Sequence, residues 1–383
     1  MASELTVGVL GAGHAGTALA AWLSSQNVPT LMWAPANHPG SLPSIGQHGG
    51  IVASGLIEGK HEITVYENLS GLLASANFLI LATRADVHEA FVNDLEKFVL
   101  KRPLLVICGH GFTVNYASRL MCERILETDD SPVTAKLTGG QGNEVHIKAI
   151  LPSFGVSCYP VKLDIDGNPT LPKSTSATLA RIFGSSITAI SPLHSLFFSN
   201  YIIHAVSATL NIGRLRDPVG SLTERAEGWR AELETRVGAD YRFYFYGQGT
   251  NSYVCNVIDA ADKERLAVAK ALGITLDTVL AECNTQSNTD YVNMREFSLA
   301  PFPYNVNFAC PDTMRHRYFS EEIRTMAMIC AIAKSRRIKI PVTKSIMSLI
   351  KSARGDASDT LSSLGALPFD PTELSIFGAR ADE

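Results

Sequence analysis

No stretch of this sequence stays apolar long enough to cross a bilayer. The longest runs, "ANFLILA" and "AMICAIA", fall far short of the roughly 20 residues a spanning helix needs. The start, "MASELTVGVLG", shows no basic segment, apolar leader or cleavage site, so the expectation is a cytoplasmic protein with no membrane partner. A dominant charge is missing too. Lys and Arg total 33 against 37 Asp and Glu, a net charge of −4, which offers nothing to a nucleic-acid backbone. The one basic run, "KSRRIKIPVTK", sits on an apolar periodic segment and reads as a solvated helix end. Cysteine is sparse. Cys108, Cys122, Cys158, Cys255, Cys283, Cys310 and Cys330 show no CxxC or other metal-like spacing, which predicts reduced structural thiols and no metal.

What is present divides in two. With 383 residues, 46% of them hydrophobic, the chain has room for two or three domains and a large core. In the first half short apolar runs, "LTVGVLG", "VPTLMWA", "EITVYE", "NFLILAT" and "PLLVICG", alternate with helical stretches such as "HAGTALAAWLSSQ" and "DVHEAFVNDLEKFVL". That alternation predicts βαβ units and a parallel sheet with helices on both faces. "GVSCYPVKL" and "ITAISP" add strands at its edge, with "TSATLARIFG" a helix between them. After Pro192, "LHSLFFSNYIIHAVSATLNIGRL", "DKERLAVAKALG" and "FSEEIRTMAMICAIAKSRR" carry helical periodicity. The expected fold is α/β, an N-terminal Rossmann-type doubly wound sheet over residues 1–190, followed by a mostly α-helical second domain over 191–383. With no repeats or long linker, the halves are expected to share a cleft.

The loop Gly11-Ala12-Gly13-His14-Ala15-Gly16 follows the first strand and opens a helix, the context in which G-x-G-x-x-G binds a dinucleotide. Gly11 permits the tight turn, Gly13 lets backbone approach the pyrophosphate, and Gly16 allows close helix–strand packing. His14 reads as a capping or surface residue. One local absence then bears on the cofactor. An acid at the end of the second strand holds the ribose 2′-hydroxyl of NAD and repels the 2′-phosphate of NADP. Here "TLMW" is followed by Ala34, Pro35, Ala36, Asn37 and His38. Ala34 leaves space and Asn37 and His38 are candidate donors, so NADPH is expected over NADH. Thr83 and Arg84, after the fourth predicted strand, are placed beside the nicotinamide end; Arg84 also reads as a surface partner of Asp86 or Glu89.

In the helical half Asn200 and His204, four apart, share a helix face. Arg317 and Glu322 flank a turn in "MRHRYFSEEIRTMAMI", where Ser320 with Glu321 and Glu322 resembles a helix start. A histidine oriented by a carboxylate makes a general acid–base, and an arginine clamps a substrate carboxylate. On spacing alone, His204 reads first as a satisfied core histidine and Arg317 with Glu322 as a structural ion pair.

The segments "LTVGVLGAGHAGTALAAW", "LMWAPANHPGS", "TRADVHEAFVN", "CGHGF", "FFSNYIIHAVSATLNIGRLRDP", "YVCNV" and "HRYFSEEI" together resemble the opine dehydrogenases across nearly the whole chain. The resemblance implies condensation of an amino acid with a 2-oxo acid to an imine, which nicotinamide hydride reduces to a secondary amine dicarboxylate. It gives His204 the proton transfers, Glu322 the carboxylate partner's position (aspartate in many members), Arg317 a substrate carboxylate, and Asn200 a place near the substrate. Arg214 and Arg216 serve a second carboxylate or pair with Asp217 and Glu224. Arginine with 2-oxoglutarate is the favoured substrate pair, with glutamine and pyruvate as the alternative. For an arginine side chain, Asp240, Glu282, Asp290 and Glu296 are open candidates. Family members of this kind act in the cytosol of crown-gall plant tissue; a homo-oligomer is compatible with all of this. A hydroxy-acid dehydrogenase and a nucleotide-sensing protein without turnover are the other readings weighed.

Overall fold

The computed structural model describes residues 4–139, 142–215, 222–237, 243–300, 311, 313–354 and 374–377. Contacts divide the chain into two units, Met1–Phe198 with Leu367–Glu383, and Ser199–Ala366.

The strands of the first unit are β1 (Val7–Leu10), β2 (Thr30–Trp33), β3 (Ile51–Gly55), β4 (Gly59–His61), β5 (Thr64–Val65), β6 (Phe78–Leu81), β7 (Leu100–Val106), β8 (Cys122–Thr128), β9 (Val133–Thr138), β10 (Glu144–Ile150), β11 (Ser153–Tyr159) and β12 (Ser186–Ile190). Its helices are α1 (His14–Ser25), α2 (Leu42–His48), α3 (Leu69–Ser75), α4 (His88–Leu95), α5 (Phe112–Tyr116), α6 (Lys173–Phe183) and α7 (Pro192–Leu196). Eight strands form one sheet in the order β12-β11-β8-β7-β6-β1-β2-β5. Every residue of β1, β2 and β6 is buried, because a parallel sheet covered on both faces has no solvent side to keep polar. The N-terminal doubly wound sheet expected from the sequence is therefore present.

Three features depart from the sequence reading. "EITVYE" contracts to the two-residue edge strand β5. Strand β11 runs antiparallel to β8, although the other neighbours in this sheet are parallel. A chain returning from β8 without a helical crossover has no need to keep the parallel direction. Here it passes instead through β9 and β10, which belong to a second sheet ordered β4-β3-β10-β9. That sheet was not anticipated. It packs on α1, whose Ala18, Leu19, Ala20, Ala21 and Leu23 are fully buried. With a sheet on either side, α1 has no broad solvent face, which is why "HAGTALAAWLSS" is apolar nearly all round.

The regular elements described in the second unit are helical: α8 (Asn200–Leu210), α9 (Glu224–Val237), α10 (Ser252–Lys270), α11 (Val279–Ser287), α12 (Met294–Leu299), α13 (Arg317–Ser320), α14 (Glu322–Ser335) and α15 (Pro341–Arg354), with a wide π-type turn at Phe245–Gly249. Helix α8 is the hub. It packs against α10, α13, α14 and α15, and each residue from Tyr201 to Thr209 is buried. The α15 N-terminus is tied down by Glu264 of α10, whose carboxylate accepts the Val342 and Thr343 N–H groups at 2.8 Å. A negative side chain suits the positive end of the helix dipole. No described helix is long and apolar enough to cross a membrane.

Candidate functional site

The glycine loop is shaped by contacts that only glycine tolerates at two of its three positions. Gly11 has φ +110°, and a Cβ there would lie 2.6 Å from the Ala82 carbonyl oxygen at the end of β6. At Gly16 a Cβ would meet the Gly11 oxygen at 2.1 Å, so this glycine sets how closely α1 approaches β1. Gly13 differs: no atom lies within 4 Å of its Cβ position. It faces open space at the start of α1, a helix with no side-chain cap and no acid in its first turn. An uncapped helix end beside an open backbone approach fits a dinucleotide pyrophosphate. Ala12 is buried and Ala15 half-buried. Exposed His14 does not cap the helix; its Nδ1 accepts the Leu137 N–H of β9 at 2.8 Å, leaving the ring proton on Nε2.

The segment after β2 folds back onto this loop. The Ala12 oxygen accepts the Ser41 N–H at 2.8 Å, and a Cβ on Gly40 (φ +52°) would lie 2.5 Å from that oxygen. Ala34 is 7% exposed. Asn37 and His38 are exposed on a turn closed by the His38 N–H and the Pro35 oxygen. Thr83 lies against Gly11, its Cβ 3.5 Å from the glycine's Cβ position. Arg84 pairs with Asp86 through two hydrogen bonds, while Glu89 takes Arg119.

In the second unit α8 and α14 bring together two residues 118 apart in the chain. His204 Nδ1 and Glu322 Oε1 are 3.0 Å apart, with His204 6% exposed and Glu322 fully buried. Glu322 opens α14, where an acidic side chain suits the positive end of the helix dipole. A carboxylate at this position accepts from the His204 Nδ1–H, which leaves Nε2 as the unprotonated ring nitrogen. The Tyr246 hydroxyl stands 3.4 Å from Nε2. Tyr318 stacks on the imidazole at a centroid distance of 4.0 Å and 15° between planes, which fixes the ring plane. Arg317 lies over the other neighbour of that stack, 4.7 Å from the Tyr318 ring centroid, and 3.9 Å from Glu321. Asn200 is half-buried at the first turn of α8. The structure therefore collects His204, Glu322 and, through Tyr318, Arg317.

Other candidates have different surroundings. Arg214 is exposed, its guanidinium 4.1 Å from the Phe243 ring centroid; Arg216, Asp217 and Asp240 lie outside the described residues. Glu282 is buried against Arg265 at 2.6 Å. Glu296 takes part in a reciprocal cap, accepting the Val292 N–H while the Asn293 side chain accepts its own. Asp290 is exposed. Sequence reasoning missed Tyr246 and Tyr318. Tyr318 stood in plain view inside "HRYFSEE", whereas nothing in "FYFYGQG" singled out Tyr246 from its aromatic neighbours.

Comparison with known proteins identifies the family. Residues 191–354 match the family described as NAD/NADP octopine/nopaline dehydrogenase, alpha-helical domain, and residues 6–142 match the NAD-dependent glycerol-3-phosphate dehydrogenase N-terminus. D-nopaline dehydrogenase from Agrobacterium tumefaciens (strain T37) is 46% identical over 381 residues, covering 98% of this chain and 92% of that protein. Among solved structures, octopine dehydrogenase in complex with NADH and agmatine superposes with a TM-score of 0.69 at 14% identity, covering 99% of both chains. Yersinopine dehydrogenase with NADP+ bound gives 0.65 at 14% identity, covering 99% of this chain and 96% of the other. The chain belongs to the opine dehydrogenases, NAD(P)-dependent oxidoreductases acting on CH–NH bonds.

Proposed function

We propose that this enzyme condenses an L-amino acid, arginine in preference to others, with a 2-oxo acid, 2-oxoglutarate in preference to others, using NADPH, and that residues 191–383 form its catalytic domain. The observation that carries the proton chemistry is the His204–Glu322 hydrogen bond. Attack on a ketone requires a neutral amine, and the unprotonated Nε2 of His204 takes the ammonium proton. The resulting imidazolium, stacked on Tyr318 and neutralised by Glu322, returns a proton to the carbinolamine hydroxyl, which leaves as water. Arg317 holds a substrate carboxylate by its guanidinium fork, and Asn200 lines the substrate. Bound NADPH supplies the hydride that converts the imine to the secondary amine.

Two lines of support differ in kind. The 46% identity to D-nopaline dehydrogenase favours the arginine and 2-oxoglutarate pair over glutamine and pyruvate. For the cofactor, support comes from Ala34, which puts no carboxylate where a 2′-phosphate would sit, with Asn37 and His38 exposed beside it. Site of action in the cytoplasm of crown-gall tissue accompanies this reading. The deciding experiment gives the enzyme NADPH or NADH with mixed amino acids and 2-oxo acids and identifies the product by mass spectrometry. Consumption of NADPH with formation of the arginine–2-oxoglutarate conjugate is expected. No oxidation with any substrate pair would end the proposal. Ala34→Asp is expected to lower the NADPH/NADH ratio of kcat/KM by about tenfold or more through charge repulsion; a native preference for NADH would remove the cofactor assignment.

A further inference from the structure

Beneath α8 lies a cluster of charges that the proton chemistry does not use. Arg265 of α10 is fully buried. Its Nε donates to Asp262 Oδ1 at 2.7 Å and its Nη1 to Glu282 Oε1 at 2.6 Å. The second oxygen of each acid grips a backbone amide. Asp262 Oδ2 accepts the N–H of Val279, which opens α11, at 3.0 Å. Glu282 Oε2 accepts the N–H of Ser199, the residue capping α8, at 3.2 Å. One guanidinium thus joins the body of α10 to the starts of two other helices. Burial drives the Glu282 carboxyl upward, and Arg265 together with Ser199 draws it back.

Stability alone is a poor reason for such a cluster. Desolvating each ion costs several kcal/mol, and well-packed apolar replacements of buried ion networks are often neutral or stabilising. Directionality is what apolar packing does not supply. Glu282 reaches Ser199 one residue before Asn200 and five before His204, on the helix whose placement sets the 3.0 Å contact with Glu322. A displacement of about 1 Å in a catalytic group can lower a rate by about 100-fold.

We propose that Glu282, clamped by Arg265 and Asp262, is a positioning residue that fixes the start of α8 and so the register of Asn200 and His204 against Glu322. This rests on the assignment of proton transfer to His204. Glu282→Gln isolates the effect. Arg265 and Asp262 remain a neutral pair, but the amide accepts from only one of its two donors and turns an N–H₂ toward the other. Ser199→Pro removes the same N–H from the opposite side, at a residue whose φ of −72° already suits proline, and Ser199→Ala keeps the N–H while removing the hydroxyl that also reaches Glu282.

The test measures Tm, kcat, KM for cofactor, and the downfield NMR proton signal of the His204–Glu322 bond, assigned by its loss in His204→Gln. For both Glu282→Gln and Ser199→Pro the expected result is a kcat lower by about 10- to 100-fold. Cofactor KM should stay within about twofold, with the NMR signal shifted or broadened. Ser199→Ala, which loses only the hydroxyl contact to Glu282, should fall between wild type and Ser199→Pro in both readouts. A folded variant of either kind with unchanged kcat and unchanged signal overturns the proposal, as does a fall in kcat with the signal unmoved. If His204→Gln retains turnover while the signal still moves in Glu282→Gln, the catalytic role of His204 falls and the anchoring role of Glu282 stands.

Discussion

In the proposed proton transfer Glu322 would serve His204 twice: its oxygen accepts from Nδ1–H, as an amide oxygen also could, and its charge offsets the imidazolium that forms when Nε2 is protonated, which an amide cannot do. Glu322→Gln retains the shape and loses the charge, so kcat at saturating substrate is expected to drop by about 10²–10⁴-fold with circular dichroism unchanged. Steady-state rates near wild type would mean that His204 does not carry the proton. Of this group His204, Glu322, Arg317 and Asn200 were singled out in the sequence as residue types suited to acid–base and carboxylate chemistry, but the roles proposed for them came from the family resemblance. That His204 and Glu322 touch was not legible, since 118 residues separate them and spacing along a chain says nothing about contact at that range. Tyr246 was lost for a related reason: an aromatic among aromatics shows its hydroxyl only once the fold aims it.

At the scale of one loop, the three glycines separate cleanly by what surrounds them. Gly16→Ala forces a Cβ to 2.1 Å from a backbone oxygen, and neither β1 nor α1 can yield without disturbing the core. A loss of about 1–3 kcal/mol is expected, read as a Tm lower by several degrees in thermal denaturation. Gly13→Ala meets no atom and has an ordinary extended φ of −87°, so its Tm should match wild type while cofactor KM rises. Equal Tm values for the two variants would contradict this division. The glycine loop, β1, β2, β6, β7 and α8 were readable because their period and punctuation act locally. The sheet β4-β3-β10-β9 was not read, although "EVHIKAI" carries the alternation of a half-buried strand. The antiparallel β11 had no local mark at all, because direction is decided by the path of the chain.

Over the whole molecule, burial shields the thiols of four described cysteines. Burial pushes the Cys122 and Cys330 thiols up to about 11, and raises Cys158 and Cys255 as well. At pH 8 a thiol titrating near 11 offers about 100-fold less thiolate than one titrating near 9. Ellman's reagent is therefore expected to leave these two unreacted in the native protein and to modify them after denaturation; rapid native reaction would show their surroundings to be open. The sign for stability follows, since unfolded thiols ionise first: stability present below about pH 9 declines as pH rises toward 11. Composition and period by themselves determined that an α/β half precedes a helical half and that the first strand ends in a nucleotide loop. These are properties of neighbours within a few turns of chain, where backbone geometry links sequence to shape directly. Only the tertiary structure decided that His204 meets Glu322, that Glu282 is held by Arg265 and reaches Ser199, and that a second sheet closes over α1. Such pairings depend on which distant surfaces exclude water together, and no local pattern encodes that.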